Sequence, residues 1–184
     1  MLEAPYYLDR FSVKILRFLS QEPLRSYYQR EIARTAGVSL GKTNQVLRML
    51  ESEEIVLKER RGRMTLYRYN LQNPAARYLK TLFTLIELSA LVKQLRRASK
   101  RIVLFGSCAE GTDTIESDID LLTLTDDKKK ARRIIDTSRR TLSRRISPIL
   151  LTPLEFSQLK EKDQPLYGQV SRGITLWQEE QAPS

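Results

Sequence analysis

The chain has 184 residues, with 32 Lys+Arg against 22 Asp+Glu, a formal charge of +10, no histidine and a single cysteine, Cys108. Without histidine there is no Ser-His-Asp or Cys-His catalysis and no histidine-ligated zinc, and one cysteine supplies neither an internal disulfide nor a structural zinc site. Chemistry is left to carboxylates, lysines, hydroxyls, backbone amides and hard metal ions.

The excess charge is unevenly placed. Residues 1–100 hold 19 Lys+Arg and 9 Asp+Glu, the whole of the +10, whereas residues 101–184 hold 13 of each. This predicts two modules, the first of which meets a polyanion. No apolar run approaches the ~18 residues of a membrane-spanning helix. The opening MLEAPYYLDRF lacks the basic-then-apolar order of a secretion signal, so the expected location is a reducing cytoplasm, away from membranes.

In chain order, "FSVKILRFLSQEP" (11–23) puts Phe11, Ile15, Phe18 and Leu19 on one helical face, with Pro23 past its end. "SYYQREIARTAGVSLGKTNQVLRMLESEEIV" (26–56) reads as two helices joined by a tight turn. Ile32 and Ala33 point inward from the first. Gly37 suits the positive φ of a helix end, and Ser39 is an N-cap for the next helix. That helix turns Thr43, Val46, Leu47 and Leu50 inward and Lys42, Asn44, Gln45 and Arg48 outward. Asn and Gln side chains pair with adenine edges, and Arg or Lys with guanine. "IVLKERRGRMTLYRYNL" (55–71) alternates as a hairpin, with Arg60, Arg61 and Arg63 around Gly62 at its tip. Basic residues there suit phosphates or a minor groove.

Residues 8–72 resemble the winged helix-turn-helix of MarR and ArsR type bacterial and archaeal regulators, in element order and in the "GVSLGKTNQVLRMLESEEIV" pattern. The resemblance implies binding to double-stranded DNA through Ser39, Lys42, Asn44, Gln45, Arg48, Arg60, Arg61 and Arg63. A winged helix used only for protein contacts is the other reading.

"PAARYLKTLFTLIELSALVKQLRRASK" (74–100) predicts a long amphipathic helix, with a possible break near Ser89. Leu79, Leu82, Phe83, Ile86, Leu88, Leu91, Val92 and Leu95 form its broad apolar stripe. Packing within the chain and pairing as a homodimer both account for such a stripe.

"RIVLF" (101–105) predicts a buried strand. Gly106-Ser107 ends it and opens a helical turn whose amides suit an anion. "SDIDLLTL" (117–124) predicts a second strand. Side chains two apart on a strand share a face, so Asp118 and Asp120 present their carboxylates together while Ile119 and Leu121 point away. Adjacent carboxylates repel unless a cation lies between them, and Mg²⁺ is held by one or two carboxylates with phosphate oxygens and water. A phosphate turn beside such a pair predicts a nucleoside triphosphate site. A basic helix (about 127–144), the strand "RISPILLTP" (145–153) and the helix "LEFSQLKEK" follow, before the closing "LYGQVSRGITLW".

"GSCAEGTDTIESDIDL" resembles the Gly-Ser…Gly…Ser-Asp-x-Asp-Leu signature of the minimal nucleotidyltransferases of the DNA polymerase β superfamily, and the resemblance covers about residues 101–178. It implies that Gly106 and Ser107 hold the β- and γ-phosphates and that Asp118 and Asp120 are catalytic and bind Mg²⁺. It also implies a third carboxylate on the later strand. The position matched to it is Ile149, and that strand has no Asp or Glu. Glu110 stands where relatives often carry a base. Lys128, Lys129 and Lys130 are candidates to offset it, and Glu155 and Asp163 to replace the missing acid. Each of these five is also an ordinary surface charge. Cys108 reads as packing.

The expected fold class is α+β: an N-terminal winged helix-turn-helix (1–73), a linking and dimerisation helix (74–100), and a nucleotidyltransferase-like mixed β-sheet with flanking helices (101–184). Two functional readings stand. One is a DNA-binding transcriptional regulator whose nucleotidyltransferase-like module binds Mg-NTP but lacks a carboxylate. The other is an active Mg-dependent nucleotidyltransferase, antitoxin-like, that modifies a toxin-like protein partner or another acceptor.

Overall fold

The computed structural model describes residues 9–138 and 142–180. The end of the expected 127–144 helix includes residues 139–141, and the opening segment includes residues 1–8; both stretches lie outside the described residues. By internal contacts the chain divides into two compact units, Met1–Lys80 and Thr81–Ser184.

The first unit begins with helix α1 (Arg10–Gln21), capped by Asp9, whose carboxylate accepts from the amides of Phe11 and Ser12 at 2.9 and 2.7 Å. Its Ile15, Leu16 and Leu19 are fully buried. The next two residues of structure depart from the sequence expectation. Tyr27–Tyr28 form a short strand, β1, rather than the start of a helix, and helix α2 begins only at Gln29 and ends at Ala36. Aromatic side chains favour strands, and β1 finds an antiparallel partner 40 residues on, Tyr27 opposite Tyr67 and Tyr28 opposite Leu66.

Gly37 closes α2 at φ +62, its amide meeting the carbonyls of Ala33 and Arg34. Helix α3 (Leu40–Ser52) starts from the Ser39 cap. Thr43, Val46, Leu47 and Leu50 are all buried, as the helical periodicity predicts. Strands β2 (Val56–Arg61) and β3 (Met64–Tyr69) pair antiparallel around a two-residue turn, Gly62-Arg63, with Gly62 at φ +60. The sheet order is β1-β3-β2.

Helix α4 (Pro74–Leu95) crosses the boundary between the units without a break at Ser89, and a single 3-10 turn continues to Ala98. Asn73 caps it by accepting from Ala75 and Ala76. The apolar stripe divides. Leu88, Leu91 and Leu95 are buried, while Leu82 and Ile86 are 45% and 59% exposed. A stripe this wide exceeds what one packing face covers.

The second unit is a mixed four-stranded sheet in the order β6-β5-β4-β7. Strand β4 (Arg101–Phe105) is followed by a single turn of helix, α5 (Ser107–Glu110), a loop, and strand β5 (Ile119–Leu124). Helix α6 (Lys128–Ser138) leads to β6 (Ile146–Leu151), parallel to β5. Helices α7 (Pro153–Lys162) and α8 (Gln164–Ser171) precede β7 (Ile174–Gln178), antiparallel to β4. Alternation along the strands sorts side chains to two cores. Ile102, Leu104, Ile119 and Leu121 join Leu88, Leu91 and Leu95 of α4 and Ala131 and Ile135 of α6. Val103, Phe105, Leu122 and Leu124 join Val170 of α8, with Phe156 and Leu166 packed against them. Each large apolar side chain so buried contributes roughly 1.5–3 kcal/mol relative to exposure. Among the described residues no helix is long and apolar enough to cross a membrane.

Candidate functional site

The ends of β4 and β5 bring the Gly-Ser turn and the aspartate pair together. Phe105, the last residue of β4, lies opposite Asp120 in the antiparallel register, so Gly106 follows directly beside it. Gly106 adopts φ +68, ψ −157, and a Cβ built there would lie 2.6 Å from Asp120 Oδ2. Glycine is therefore required twice over, once by the backbone and once by the neighbouring carboxylate. Ser107 starts α5, and the amides of Ala109 and Glu110 return to the Gly106 carbonyl at 3.0 and 3.2 Å. Gly111 ends the turn at φ +69.

Asp118 precedes β5 and Asp120 is its second residue. Ile119 and Leu121 between and after them are fully buried in the α4–α6 core, which turns both carboxylates to the other face. Burial pushes the Asp120 carboxyl above the usual carboxylate range, the charge of Asp118 pushes it further, and the nearby Ser147 hydroxyl opposes both. A divalent cation would relieve the first two effects. The pair thus fits Mg²⁺ as a two-carboxylate site completed by phosphate and water oxygens. The Asp118 side chain, 43% exposed, has Arg145 Nε 4.0 Å from Oδ2, and that arginine is itself 76% exposed.

The strand register shows which β6 residue stands beside the aspartates. In the parallel β5–β6 pair, Asp120 lies beside Ser147 and Leu122 beside Ile149. Ser147, two residues earlier than Ile149, is the β6 residue beside Asp120. Ile149, matched from the Thr152-Pro153 ending, lies two residues further along β6, because a parallel register depends on how the strands stagger. Neither candidate replacement acid is available. Glu155 closes the capping box of α7 with Thr152 and pairs with Lys128 Nζ at 2.7 Å, which together hold its pKa at about 2. Asp163 caps α8 through the Leu166 amide. Among the described residues no group of three or more His, Cys, Asp or Glu side chains is placed to hold one metal ion. Glu110 lies exposed at the end of α5.

A support that sequence reasoning missed lies behind the turn. Asp113, with no exposed side chain, forms an ion pair with Arg144, which is 12% exposed. Arg144 also reaches Thr84 Oγ1 at 3.1 Å and Cys108 Sγ at 3.4 Å, and Cys108 Sγ lies 3.5 Å from the Asp118 carbonyl. Cys108 is buried packing, as expected, and also joins the turn to the start of β5. The neighbouring Ser143 is fastened to Glu87 of α4 by two hydrogen bonds of 2.7 Å. Asp113 and Arg144 stand 31 residues apart among other charges, and nothing local in the sequence marks them as partners.

The first unit displays a second set of candidate residues. Ser39 Oγ accepts from the Lys42 amide as the α3 cap. Lys42 pairs with Asp9 at 3.4 Å and donates to Gln45 at 3.3 Å. Gln45 and Arg48 are exposed, as are Arg60, Arg61 and Arg63 around the hairpin turn. Arg61 is held by Glu59 at 2.9 Å. A groove of about 770 Å³ runs between α3 and the hairpin, lined by Asn44 and Arg63 together with Tyr28, Gln29, Arg30 and Met64. The last four were not among the residues expected from sequence, because the groove exists only once β1 joins β3.

No curated protein and no solved structure matches the chain. Residues 85–168 match the family model described as Nucleotidyltransferase domain, a span that runs from α4 into α8 and includes the Gly-Ser turn, the aspartate pair and β6. The second unit therefore carries a nucleotidyltransferase domain.

Proposed function

We propose that the protein is a cytoplasmic DNA-binding transcriptional regulator whose nucleotidyltransferase domain binds a Mg-nucleotide without a full catalytic carboxylate set. The observation that carries this reading is the placement of Ser147, a hydroxyl, beside Asp120 where a third acid would stand. In this reading Gly106 and Ser107 hold phosphate oxygens, and Asp118 and Asp120 hold the cation. The cation supplies neutralisation of phosphate charge. Ser147 stands beside Asp120 and offers no carboxylate to take a proton from an attacking hydroxyl.

The order α1, α2, α3 and a basic β2–β3 hairpin supports a winged helix-turn-helix over residues 1–73, with α3 as the reading helix and Arg60, Arg61 and Arg63 on phosphates. Residues 74–100 serve as the linking and dimerisation segment, since paired half-sites call for paired readers. The second reading, an antitoxin-like nucleotidyl transfer to a protein partner, is favoured by the contact between the Gly106 turn and Asp120. Both readings require Mg-nucleotide binding and part at turnover.

Calorimetric titration of ATP and GTP, with and without Mg²⁺, into wild type and Asp118→Asn/Asp120→Asn tests the site. Metal-dependent binding lost in the double variant is expected, with no nucleotide consumed. Nucleotide turnover by the wild type would establish the second reading instead, and no binding would remove both. For the first unit, Asn44→Ala/Arg48→Ala is expected to lower affinity for the chain's own promoter DNA at least tenfold. Unchanged affinity would refute the regulator.

A further inference from the structure

Charge in the second half of the chain is segregated. Residues 128–145 carry nine Lys+Arg and one Asp, while the rest of residues 101–184 carry four Lys+Arg and twelve Asp+Glu. Three of the nine face an acid: Lys128 is paired with Glu155, Arg144 with Asp113, and Arg145 stands 4.0 Å from Asp118. Lys129, Lys130, Arg132 and Arg133 of α6 are exposed and form no ion pair among the described residues. Lys128 with Arg132, and Lys129 with Arg133, are like charges at i,i+4, one turn or about 6 Å apart, an arrangement that weakens a helix by a few tenths of a kcal/mol per pair. A helix whose only task was solvation would alternate its signs.

Three of these four cations share one depression with Lys128. Lys128, Lys129, Arg132 and Arg133 line a depression of about 520 Å³ whose floor includes Leu150 of the edge strand β6. We infer that this α6–β6 depression is a second nucleic-acid contact, one that takes the sugar-phosphate backbone without reading sequence. Three unpaired cations, Lys129, Arg132 and Arg133, together with Lys128, which is shared with Glu155, complement a phosphate chain. Among the described residues the lining has no aromatic side chain on which a base would stack and no amide side chain to read a base edge. The inference does not depend on the first unit reading DNA.

The test uses the full chain, a fluorescein-labelled 30-base-pair duplex of random sequence, and anisotropy titrations across a salt series. Two sets of substitutions are combined: Lys129→Gln/Lys130→Gln/Arg132→Gln/Arg133→Gln in α6, and Asn44→Ala/Arg60→Gln/Arg61→Gln/Arg63→Gln in the first unit. Glutamine keeps helix propensity, and circular dichroism verifies that α6 is retained. The first-unit set should leave binding that is still steeply salt-dependent, and adding the α6 set should abolish it. In the otherwise wild-type chain the α6 set alone should reduce the slope of log K against log salt by roughly 2–4, at about 0.9 per phosphate contact. The inference is overturned if the α6 set changes neither affinity nor slope, if the first-unit set alone removes all binding, or if polyglutamate competes as well as unlabelled DNA, which would indicate an acidic protein partner. Should the first-unit set change nothing while the α6 set abolishes binding, the inference stands and the winged-helix reading fails.

Discussion

Replacing Gly106 by alanine tests the geometry of the Gly-Ser turn and the aspartate pair most directly. The residue occupies φ +68, ψ −157, a region essentially confined to glycine, where a side chain costs about 1–3 kcal/mol. The added Cβ would also meet Asp120 Oδ2 at 2.6 Å, closer than side chains tolerate. The carboxylate must shift away from the added methyl, and overpacking of this kind costs about 1–3 kcal/mol. Together these predict a loss of about 3–4 kcal/mol in the second unit. The assay is urea unfolding followed by fluorescence of Trp177, the one tryptophan, which sits on β7 opposite Ile102 and so reports this unit. With a urea slope of about 1–3 kcal/mol/M, the midpoint should fall by at least about 1 M. Asp120→Ala removes the clashing atoms, so Gly106→Ala should cost about 1–3 kcal/mol in that background, and the difference isolates the contact. Gly37→Ala is the control in the other unit. It has φ +62 but nothing within 4 Å of the added Cβ, so only the backbone cost of about 1 kcal/mol applies. A loss below about 1 kcal/mol for Gly106→Ala, or equal losses with and without Asp120, would refute the close packing of turn and carboxylate.

Asp120→Asn should flatten the dependence of stability on pH. The folded state raises the Asp120 carboxyl above its ordinary value, so its contribution is fully present below the ordinary carboxylate range and is lost as pH rises through the raised value. The asparagine variant should therefore be more stable than wild type at neutral pH without metal, and the gap should close under acid conditions; an unchanged urea midpoint at pH 7 would contradict this. Arg144→Met should cost about 3–5 kcal/mol by removing one partner of a buried ion pair, and Asp113→Asn in the same chain should recover part of it. A loss under 1 kcal/mol in the Trp177 unfolding curve would mean that the pair does not hold the loop behind the turn.

The sequence by itself determined the helices whose apolar spacing repeats every three to four residues, the glycine that ends α2, the basic hairpin, and the aspartates that share a face. Each depends on neighbours within a few residues, where helical or strand periodicity acts directly. The strand β1 was not legible, because a two-residue strand forms only when Tyr67 and Leu66 arrive from far along the chain. The continuity of α4 and the exposure of Leu82 and Ile86 were open for the same reason, since a stripe states what can be buried and not what covers it. Only tertiary structure decided that Ser147 stands beside Asp120, because the register of parallel strands follows from how whole layers pack. It alone joined Asp113 to Arg144, and it alone set Asp120 against Gly106. Contacts between residues distant in the chain leave no period to read, and the arrangement around the aspartate pair depends on three of them.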